Sequence, residues 1–556
     1  MKKSLIMLLA VHLCADDAVA GPKRTASTTA QAQLIEQGKR MYREGILPSG
    51  RPMVATVQND VTLTGTRAAC ANCHRRSGFG SSEGQIVART ITGPALYSPA
   101  YPPHPKMHQS PVESPLNRPA YTDETLANAI RTGADMTGRR LTQPMPRYSL
   151  AKEESDALIA YLKTLSTAPS PGVTDQAIHF ATVVTEGVEP AKRKAMLGVL
   201  EAFFRDKNAG TRHETLRAER APWDMEREYK AYRNWRLHLW ELTGRPETWR
   251  AQLDAYYREQ PVFALASGIG TGTWRPVHDF CERLEIPCVF PNVDFPVISE
   301  NGHYAFYFSK GVTLEAEVLA KHLGEMSERS HNAPIIQVFR DDETGRVPAD
   351  AFRSAMKNYG NDDIQDLGLD PAVKPTADYW LALLKRRHPA LLLLWLGDSD
   401  LGALETLAAS ALAPEAIYLS SILTNKPLSS LAAKSRAKLR YVYSFELPEA
   451  LDRRLLRIRA WLKSKKIELI DERIQANTYF AVTQAGAALM HMVDNFSRDY
   501  FVEKIEHEVD TAIATSIYPR LTLGAGQRFA SNGCYLVEAS MEAKGALMPF
   551  SSWIVP

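Results

Sequence analysis

One short motif in this sequence brings together residue types that can do chemistry. It reads Cys70-Ala-Asn-Cys73-His74, two thiols three positions apart followed directly by an imidazole. Thiols at this spacing can add to the two vinyl groups of a haem, and the histidine then lies beneath the iron as an axial ligand. Because the sequence holds a single copy of the motif, we predict one covalently attached c-type haem.

Paired thiols can also form a zinc site or a redox-active dithiol. A zinc site needs four ligands and usually a second cysteine pair, but the next cysteine after Cys73 is Cys281. A thioredoxin-like dithiol lies in a βαβ unit, and no such pattern surrounds the motif. Both alternatives are therefore less favoured than haem.

The residues on either side of the motif resemble the class I cytochromes c over about 31–165. Gly38 and Tyr42 match small and aromatic positions of that family's first helix, and Gly93-Pro94-Ala95-Leu96 is similar to its G-P-x-L loop. The resemblance implies an all-α front domain. It also implies that the Pro94 carbonyl accepts a hydrogen bond from His74, which would fix the histidine tautomer.

A second axial ligand follows from the same resemblance. Met145-Pro146-Arg147-Tyr148 precedes the last helix, where the family carries its distal methionine, so His74 and Met145 are the expected iron ligands. A thioether ligand raises the reduction potential of a haem. The other candidates for the sixth position are Met107, Met136, His104 and His108, and an open site is the remaining alternative.

Helices and a linker are expected to frame this site. The apolar spacing predicts helices over 31–44 and 150–165, and the proline-rich stretch 97–120 predicts an irregular loop. Ser166 to Gly172 has the composition of a linker. The expected organisation is therefore a cytochrome c domain over 21–165, a linker over 166–172 and a second domain over 173–556.

The N-terminus has the features of an export signal. Lys2 and Lys3 precede an apolar stretch, and Ala18-Val19-Ala20 offers a cleavage pattern. Residues 1–20 are therefore expected to be a signal peptide that directs the protein to the periplasm. No later stretch is long and apolar enough to predict a membrane span.

Charge is divided unevenly along the chain. The formal net charge is only +3, which argues against nucleic-acid binding. Residues 21–168 carry 18 Lys and Arg against 11 Asp and Glu, a net charge of +7, and residues 169–556 therefore carry −4. A basic front domain would steer toward an acidic partner, and a scattered, solvated surface is the alternative.

The back region alternates short apolar strands with helical patterns, as is typical of parallel sheets covered by helices. Ser267-Gly-Ile-Gly-Thr271-Gly-Thr273 follows one such strand and opens a helix. Backbone N–H groups and hydroxyls in this turn would suit a carboxylate. The glycine spacing fits neither a dinucleotide fingerprint nor a P-loop.

Residues 173–556 resemble the type I periplasmic solute-binding proteins of the leucine/isoleucine/valine-binding kind, in which two α/β lobes close on a small ligand. Tyr307-Phe308-Ser309-Lys310-Gly311 is similar to the crossing into the second lobe, and loops after second-lobe strands supply aspartates at the edge where open α/β sheets bind ligands. Ordinary turn chemistry is the alternative for each residue. The expected ligand-binding residues are Ser267, Thr271, Thr273, Ser309, Asp341 and Asp398.

The remaining cysteines suggest one disulfide. Cys281 and Cys288 flank the end of a helix and the next strand. An oxidising compartment favours a bridge between them over two separately buried thiols. Cys534 is then left free.

These observations predict a periplasmic electron-transfer protein rather than an enzyme, with an appended domain that binds a small organic solute or docks a partner. By analogy alone, a quinoprotein dehydrogenase is a candidate redox partner. Two alternatives are a haem-containing solute receptor or sensor for a transporter, and an open-haem enzyme such as a peroxidase.

Overall fold

The computed structural model describes most of the chain. The described residues are 23–57, 60–84, 86–100, 118–141, 143–166, 168–211, 233–327, 334–360, 363–424, 430–492, 495–511, 516–540 and 546–556. The expected signal peptide lies outside these ranges, as do His104, Met107 and His108. Within them, no helix is long and apolar enough to cross a membrane.

Two compact units make up the fold, Met1–Thr167 (the front unit) and Ala168–Pro556 (the back unit). The described elements of the front unit are α1 (Lys23–Glu44), β1 (Val54–Val57), β2 (Val61–Thr64), a 3₁₀ turn (Gly65–Ala68), α2 (Ala71–His74), β3 (Ser81–Glu83), β4 (Ile86–Ala88), α3 (Gly93–Tyr97), α4 (Asp123–Thr132), β5 (Arg147–Tyr148) and α5 (Lys152–Thr164).

The helical core of the front unit depends on a close crossing of α1 and α5. A Cβ atom at Gly38 would lie 2.0 Å from the Ala157 carbonyl oxygen, so only glycine fits there. One turn further along α1, the ring of Tyr42 packs on that of Tyr161 with centroids 5.3 Å apart. The match of these positions to the cytochrome c pattern thus has a packing basis.

Two small sheets are added to this helical core. Strand β1 lies between β2 and β5 in a three-stranded sheet, and β3 pairs with β4 in a hairpin. The β1–β2 hairpin lies ahead of Cys70 in the chain, and the resemblance to the helical family did not predict it.

Two α/β lobes form the back unit. Its described elements are β6 (Ala177–Thr185), α6 (Pro190–Thr211), β7 (Asn234–Leu242), α7 (Pro246–Glu259), β8 (Ala264–Ala266), α8 (Arg275–Arg283), β9 (Cys288–Val289), β10 (Ala305–Phe306), α9 (Val312–Ser327), β11 (Ile335–Arg340), α10 (Glu343–Met356), a 3₁₀ turn (Lys357–Tyr359), β12 (Ile364–Leu369), α11 (Ala377–Arg387), β13 (Leu391–Trp395), α12 (Leu404–Ala409), β14 (Ala416–Ser420), α13 (Ala433–Arg436), β15 (Leu439–Tyr443), α14 (Pro448–Ser464), α15 (Glu472–Met492), α16 (Arg498–Thr511), β16 (Tyr535–Ala539) and β17 (Leu547–Pro549).

Each lobe is built around one sheet. The first sheet has the strand order β10-β9-β8-β6-β7 and is parallel throughout. The second has the order β12-β11-β13-β14-β15-β16-β17, and only β16 runs opposite to the other strands, so that its pairings with β15 and β17 are antiparallel. Strand β13, Leu-Leu-Leu-Leu-Trp, is almost wholly buried, as expected for a strand covered by helices on both faces.

The segment expected to be a linker is anchored at both of its ends. Ser166 belongs to the front unit, where its hydroxyl donates to the Ser77 carbonyl at 2.7 Å. In the back unit, the Ser170 amide donates to the Phe496 carbonyl at 2.8 Å, and Arg498 donates to the Pro171 carbonyl at 3.1 Å. The composition of this stretch therefore did not reveal its packing.

Candidate functional site

The Cys-x-x-Cys-His motif forms a single helical turn. Cys70 precedes α2, and its carbonyl accepts hydrogen bonds from the amides of Cys73 at 3.3 Å and His74 at 3.0 Å. The Tyr42 hydroxyl donates to the carbonyl of Arg75 at 2.7 Å, just beyond the turn. Helix α1 thus holds the turn in place, and the two thiols and the imidazole line one cavity.

His74 is oriented for binding a metal through Nε2. Its Nδ1 lies 2.8 Å from the Arg89 carbonyl oxygen, which leaves Nε2 as the ligating nitrogen. The side chain is buried, and burial lowers the pKa of His74. A neutral imidazole, the form that ligates metals, is therefore favoured.

The hydrogen-bond partner of His74 differs from the predicted one. The sequence analysis expected the Pro94 carbonyl to accept this hydrogen bond, and the structure places the Arg89 carbonyl there. The β3–β4 hairpin returns the chain to the imidazole at Arg89, five residues before Pro94. Pro94 instead lies in the first turn of α3, where a fixed φ is tolerated. It does not line the cavity.

This cavity, called the front cavity below, has a volume of about 300 Å³. Its lining is mostly apolar, and the walls present an imidazole, two thiols and a thioether. That donor set suits a c-type haem, because the macrocycle needs apolar walls and the iron takes nitrogen and sulfur ligands. Apolar lining residues include Leu63, Ile86, Ile91, Leu96, Leu126, Ile130, Leu158 and Leu162.

Met145 and His74 line the same cavity, whereas Met136 does not. Both methionines are half-buried and pack against the core of the front unit. Of the methionine and histidine candidates that fall in the described ranges, Met145 is therefore the one placed to face a bound haem.

Sequence reasoning missed two polar residues of this cavity. Arg118 is buried and donates to the carbonyls of Ala95 at 2.7 Å and Leu96 at 3.2 Å, which closes one wall. Tyr148 is buried, and its hydroxyl donates to the Ala68 carbonyl at 3.0 Å. Tyr148 follows Met145 by three residues, and this closeness in the sequence could have indicated that Tyr148 lines the same cavity.

A second, smaller cavity of about 60 Å³ lies in the back unit and is called the back cavity. It brings together Thr271 and Ser309 from the predicted ligand residues. It also contains Arg473, whose Nη1 lies 3.5 Å from the Asp294 carboxylate, and the buried Asn477. The Asn477 Oδ1 atom has no hydrogen-bond partner among the described residues.

The other four predicted ligand residues do not line the back cavity. Ser267 is buried behind it, where its hydroxyl accepts from Asn292 Nδ2 at 3.2 Å. Thr273 accepts from the amide of Arg275 at 3.3 Å, at the start of α8.

In the second lobe, Asp341 pairs with Arg346 and Asp398 accepts a hydrogen bond from Thr424. Both aspartates follow strands of the second sheet, as predicted. Their partners are protein groups, so whether either contacts a ligand stays a prediction.

Cys281 and Cys288, the pair predicted to form a disulfide, are not bridged in this structure. Both are fully buried in the first lobe. Burial and a hydrogen bond with Cys288 raise the pKa of Cys281. The two side chains are thus neighbours, and the bridge itself stays a prediction.

Comparison with known proteins agrees with this division of the chain. Residues 64–166 match the family model for cytochrome c. Among curated proteins, none matches the sequence.

Solved structures resemble the back unit at low sequence identity. A branched-chain amino acid ABC transporter protein from Thermus thermophilus with bound valine is 12% identical, with 69% of this chain and 98% of that chain covered and a TM-score of 0.50. A fatty acid ABC transporter substrate-binding protein from Thermomonospora curvata is 15% identical, with 70% and 95% covered and a TM-score of 0.48. A solute-binding protein from R. palustris in complex with benzoate is 11% identical, with 68% and 98% covered and a TM-score of 0.48.

At these identities the structural likeness bears on the fold alone. The cytochrome c family implies a c-type haem, in agreement with the donor set of the front cavity. The chain therefore combines a cytochrome c domain with a periplasmic-binding-protein fold of type I.

Proposed function

We propose that this protein is a periplasmic one-electron carrier with one covalent c-type haem in the front cavity. The proposal rests on one observation: the side chains of Cys70, Cys73, His74 and Met145 all line one mostly apolar cavity. In this proposal the two cysteines form the thioether bonds, and His74 and Met145 are the axial ligands. The haem, when bound, supplies a one-electron iron couple whose potential a thioether ligand raises.

The protein's own residues then hold and shield that couple. The Arg89 carbonyl fixes the ring of His74. The apolar walls exclude water, which favours electron transfer over chemistry at an open iron. No general acid or base is required for this activity.

The electron donor or acceptor is proposed to be an acidic periplasmic protein. Arginines in the lining support this, since Arg67, Arg89 and Arg139 lie at the front cavity and residues 21–168 carry a net charge of +7. A cationic surface attracts an anionic partner over a range set by the ionic strength. A quinoprotein dehydrogenase is the partner class to test first, on analogy alone.

The back unit is proposed to bind a small organic solute in the back cavity. The Arg473–Asp294 pair and the unsatisfied Asn477 Oδ1 support a ligand with both an anionic group and a hydrogen-bond donor. Calorimetry against amino acids, benzoate, fatty acids and short alcohols tests this. A saturable isotherm that is lost in Arg473→Ala, and kept in the exposed control Arg250→Ala, would support it.

Haem attachment is tested by mass spectrometry of the denatured protein. We expect the mass of one haem in addition to that of the polypeptide, and none in the double variant Cys70→Ala/Cys73→Ala. The matched control Cys281→Ala/Cys288→Ala should keep the added mass. A wild-type protein that loses its haem on denaturation would overturn the covalent attachment.

A further inference from the structure

Tyr148 joins the segment that carries Met145 to the segment that enters the haem motif. It lies in β5, where its backbone pairs with Ala55 of β1 in an antiparallel register. Strand β1 pairs in turn with β2, which continues into the 3₁₀ turn ending at Ala68, two residues before Cys70. The loop with the methionine and the approach to the motif are thus parts of one small sheet.

The hydroxyl of Tyr148 makes a second connection between the same two segments. It donates to the Ala68 carbonyl at 3.0 Å and lies within hydrogen-bonding reach of the Cys70 sulfur. The side chain is 3% exposed, and burial raises the pKa of Tyr148, so the hydroxyl remains a donor. A phenylalanine would fill the same space without this bond.

We propose that Tyr148 is a positioning residue that keeps Met145 on the iron through its hydrogen bond to Ala68. This rests on the proposed His74/Met145 ligation. A thioether is a weak ligand for ferric iron, so its ability to exclude external ligands depends on how firmly its loop is held. Loss of one buried hydrogen bond should shift that competition about tenfold.

The test is an imidazole titration of the ferric holoprotein, followed by the red charge-transfer band of methionine-ligated haem. We expect Tyr148→Phe to bind imidazole about tenfold more tightly than the wild type. The variant retains the ring and so should fold, which equal haem content would verify. Met145→Ala defines the fully open limit.

A matched control separates positioning from general loosening of the domain. Tyr97→Phe also removes a tyrosine hydroxyl of the front unit, which donates to Asp123 Oδ1 at 2.8 Å, but Tyr97 does not line the front cavity. Its imidazole affinity should stay within about twofold of the wild type.

Two results would overturn the proposal in distinguishable ways. Equal imidazole affinities in Tyr148→Phe, Tyr97→Phe and the wild type would remove the role of Tyr148 and leave the ligation standing. A Met145→Ala protein that keeps the charge-transfer band and the wild-type imidazole affinity would remove the ligation, and the positioning role with it.

Discussion

The front cavity and the back cavity differ in size, lining and the way in which their polar groups are satisfied. The front cavity is about 300 Å³ and mostly apolar, with ligating side chains in its walls. The back cavity is about 60 Å³, and its charges already pair with each other, as Arg473 does with Asp294. The front cavity can therefore be recognised as a cofactor site from the types of ligating side chain in its walls. The polar groups of the back cavity pair with each other, so they cannot be told apart from ordinary protein packing.

Among the variants that test this difference between the cavities, replacement of Met145 should change the properties of the protein most. On the proposed ligation Met145→Ala removes an iron ligand, so we expect a lower midpoint potential and an iron that binds carbon monoxide. Met136→Ala, which alters a methionine outside the front cavity, should change neither. Redox titration and visible spectra of both variants check the assignment, and equal behaviour of the two would contradict it.

Replacement of Arg498 should affect the back unit and not the haem. Arg498 is buried and donates to several backbone carbonyls. Arg498→Ala leaves these buried carbonyl oxygens without hydrogen-bond donors, which should lower the free energy of unfolding of the back unit by roughly 3–5 kcal/mol. Thermal unfolding followed by circular dichroism measures this loss, while the haem spectrum reports on the front unit. A loss no greater than that in the exposed control Arg250→Ala would refute the expectation. The carbonyls concerned are those of Phe263, Leu284, Pro171 and Val262.

A buried carboxylate should give the back unit a distinct pH dependence. Glu315 is fully buried and accepts from Ser421 at 2.7 Å and Ser444 at 3.1 Å, and burial raises its pKa to about 7. The folded state thus holds a proton that the unfolded state releases above its ordinary pKa. Stability is then lost as the pH rises from about 4.5 to 7, by about 3 kcal/mol at most.

The substitution Glu315→Gln isolates that contribution. Melting temperatures measured from pH 5 to pH 8 should fall more steeply in the wild type than in the variant. Parallel profiles for the two proteins would show that Glu315 does not carry the effect.

The smallest expected effect concerns charge at the front unit. Oxidation of the ferrous protein by anionic ferricyanide should slow about tenfold between low and high salt, because screening weakens attraction to a cationic surface. Oxidation by a cationic ruthenium complex should instead accelerate. Stopped-flow rates that do not depend on salt for either oxidant would indicate that the basic residues are scattered.

The sequence predicted the parts of the fold whose causes are local. The motif at Cys70 follows from residue types and a short spacing, whereas the close helix crossing at Gly38 was implied by the resemblance to the class I cytochromes c. The βα alternation predicted parallel sheets covered by helices, because buried parallel strands such as β13 form continuous apolar runs. Their division into two lobes was implied by the resemblance to the solute-binding proteins.

What the sequence could not predict depended on contacts between distant segments. His74 pairs with the Arg89 carbonyl and not with that of Pro94, because the β3–β4 hairpin between His74 and Arg89 returns the chain to the imidazole. The Arg473–Asp294 pair joins residues far apart in the chain, and no local pattern marks either as a cavity residue. Tyr148 lies three residues after Met145 in the sequence, but its hydrogen bond to the Ala68 carbonyl depends on the pairing of β1 with β5.

The most direct test of the central claim is the visible spectrum of the dithionite-reduced wild-type protein, recorded with and without carbon monoxide. We predict a sharp low-spin c-type spectrum that the gas leaves unchanged, because in the proposed ligation His74 and Met145 would fill both axial positions of the iron. A spectrum that shifts with carbon monoxide would mean an open or labile sixth position. It would contradict the His/Met electron-transfer assignment and favour gas or peroxide chemistry.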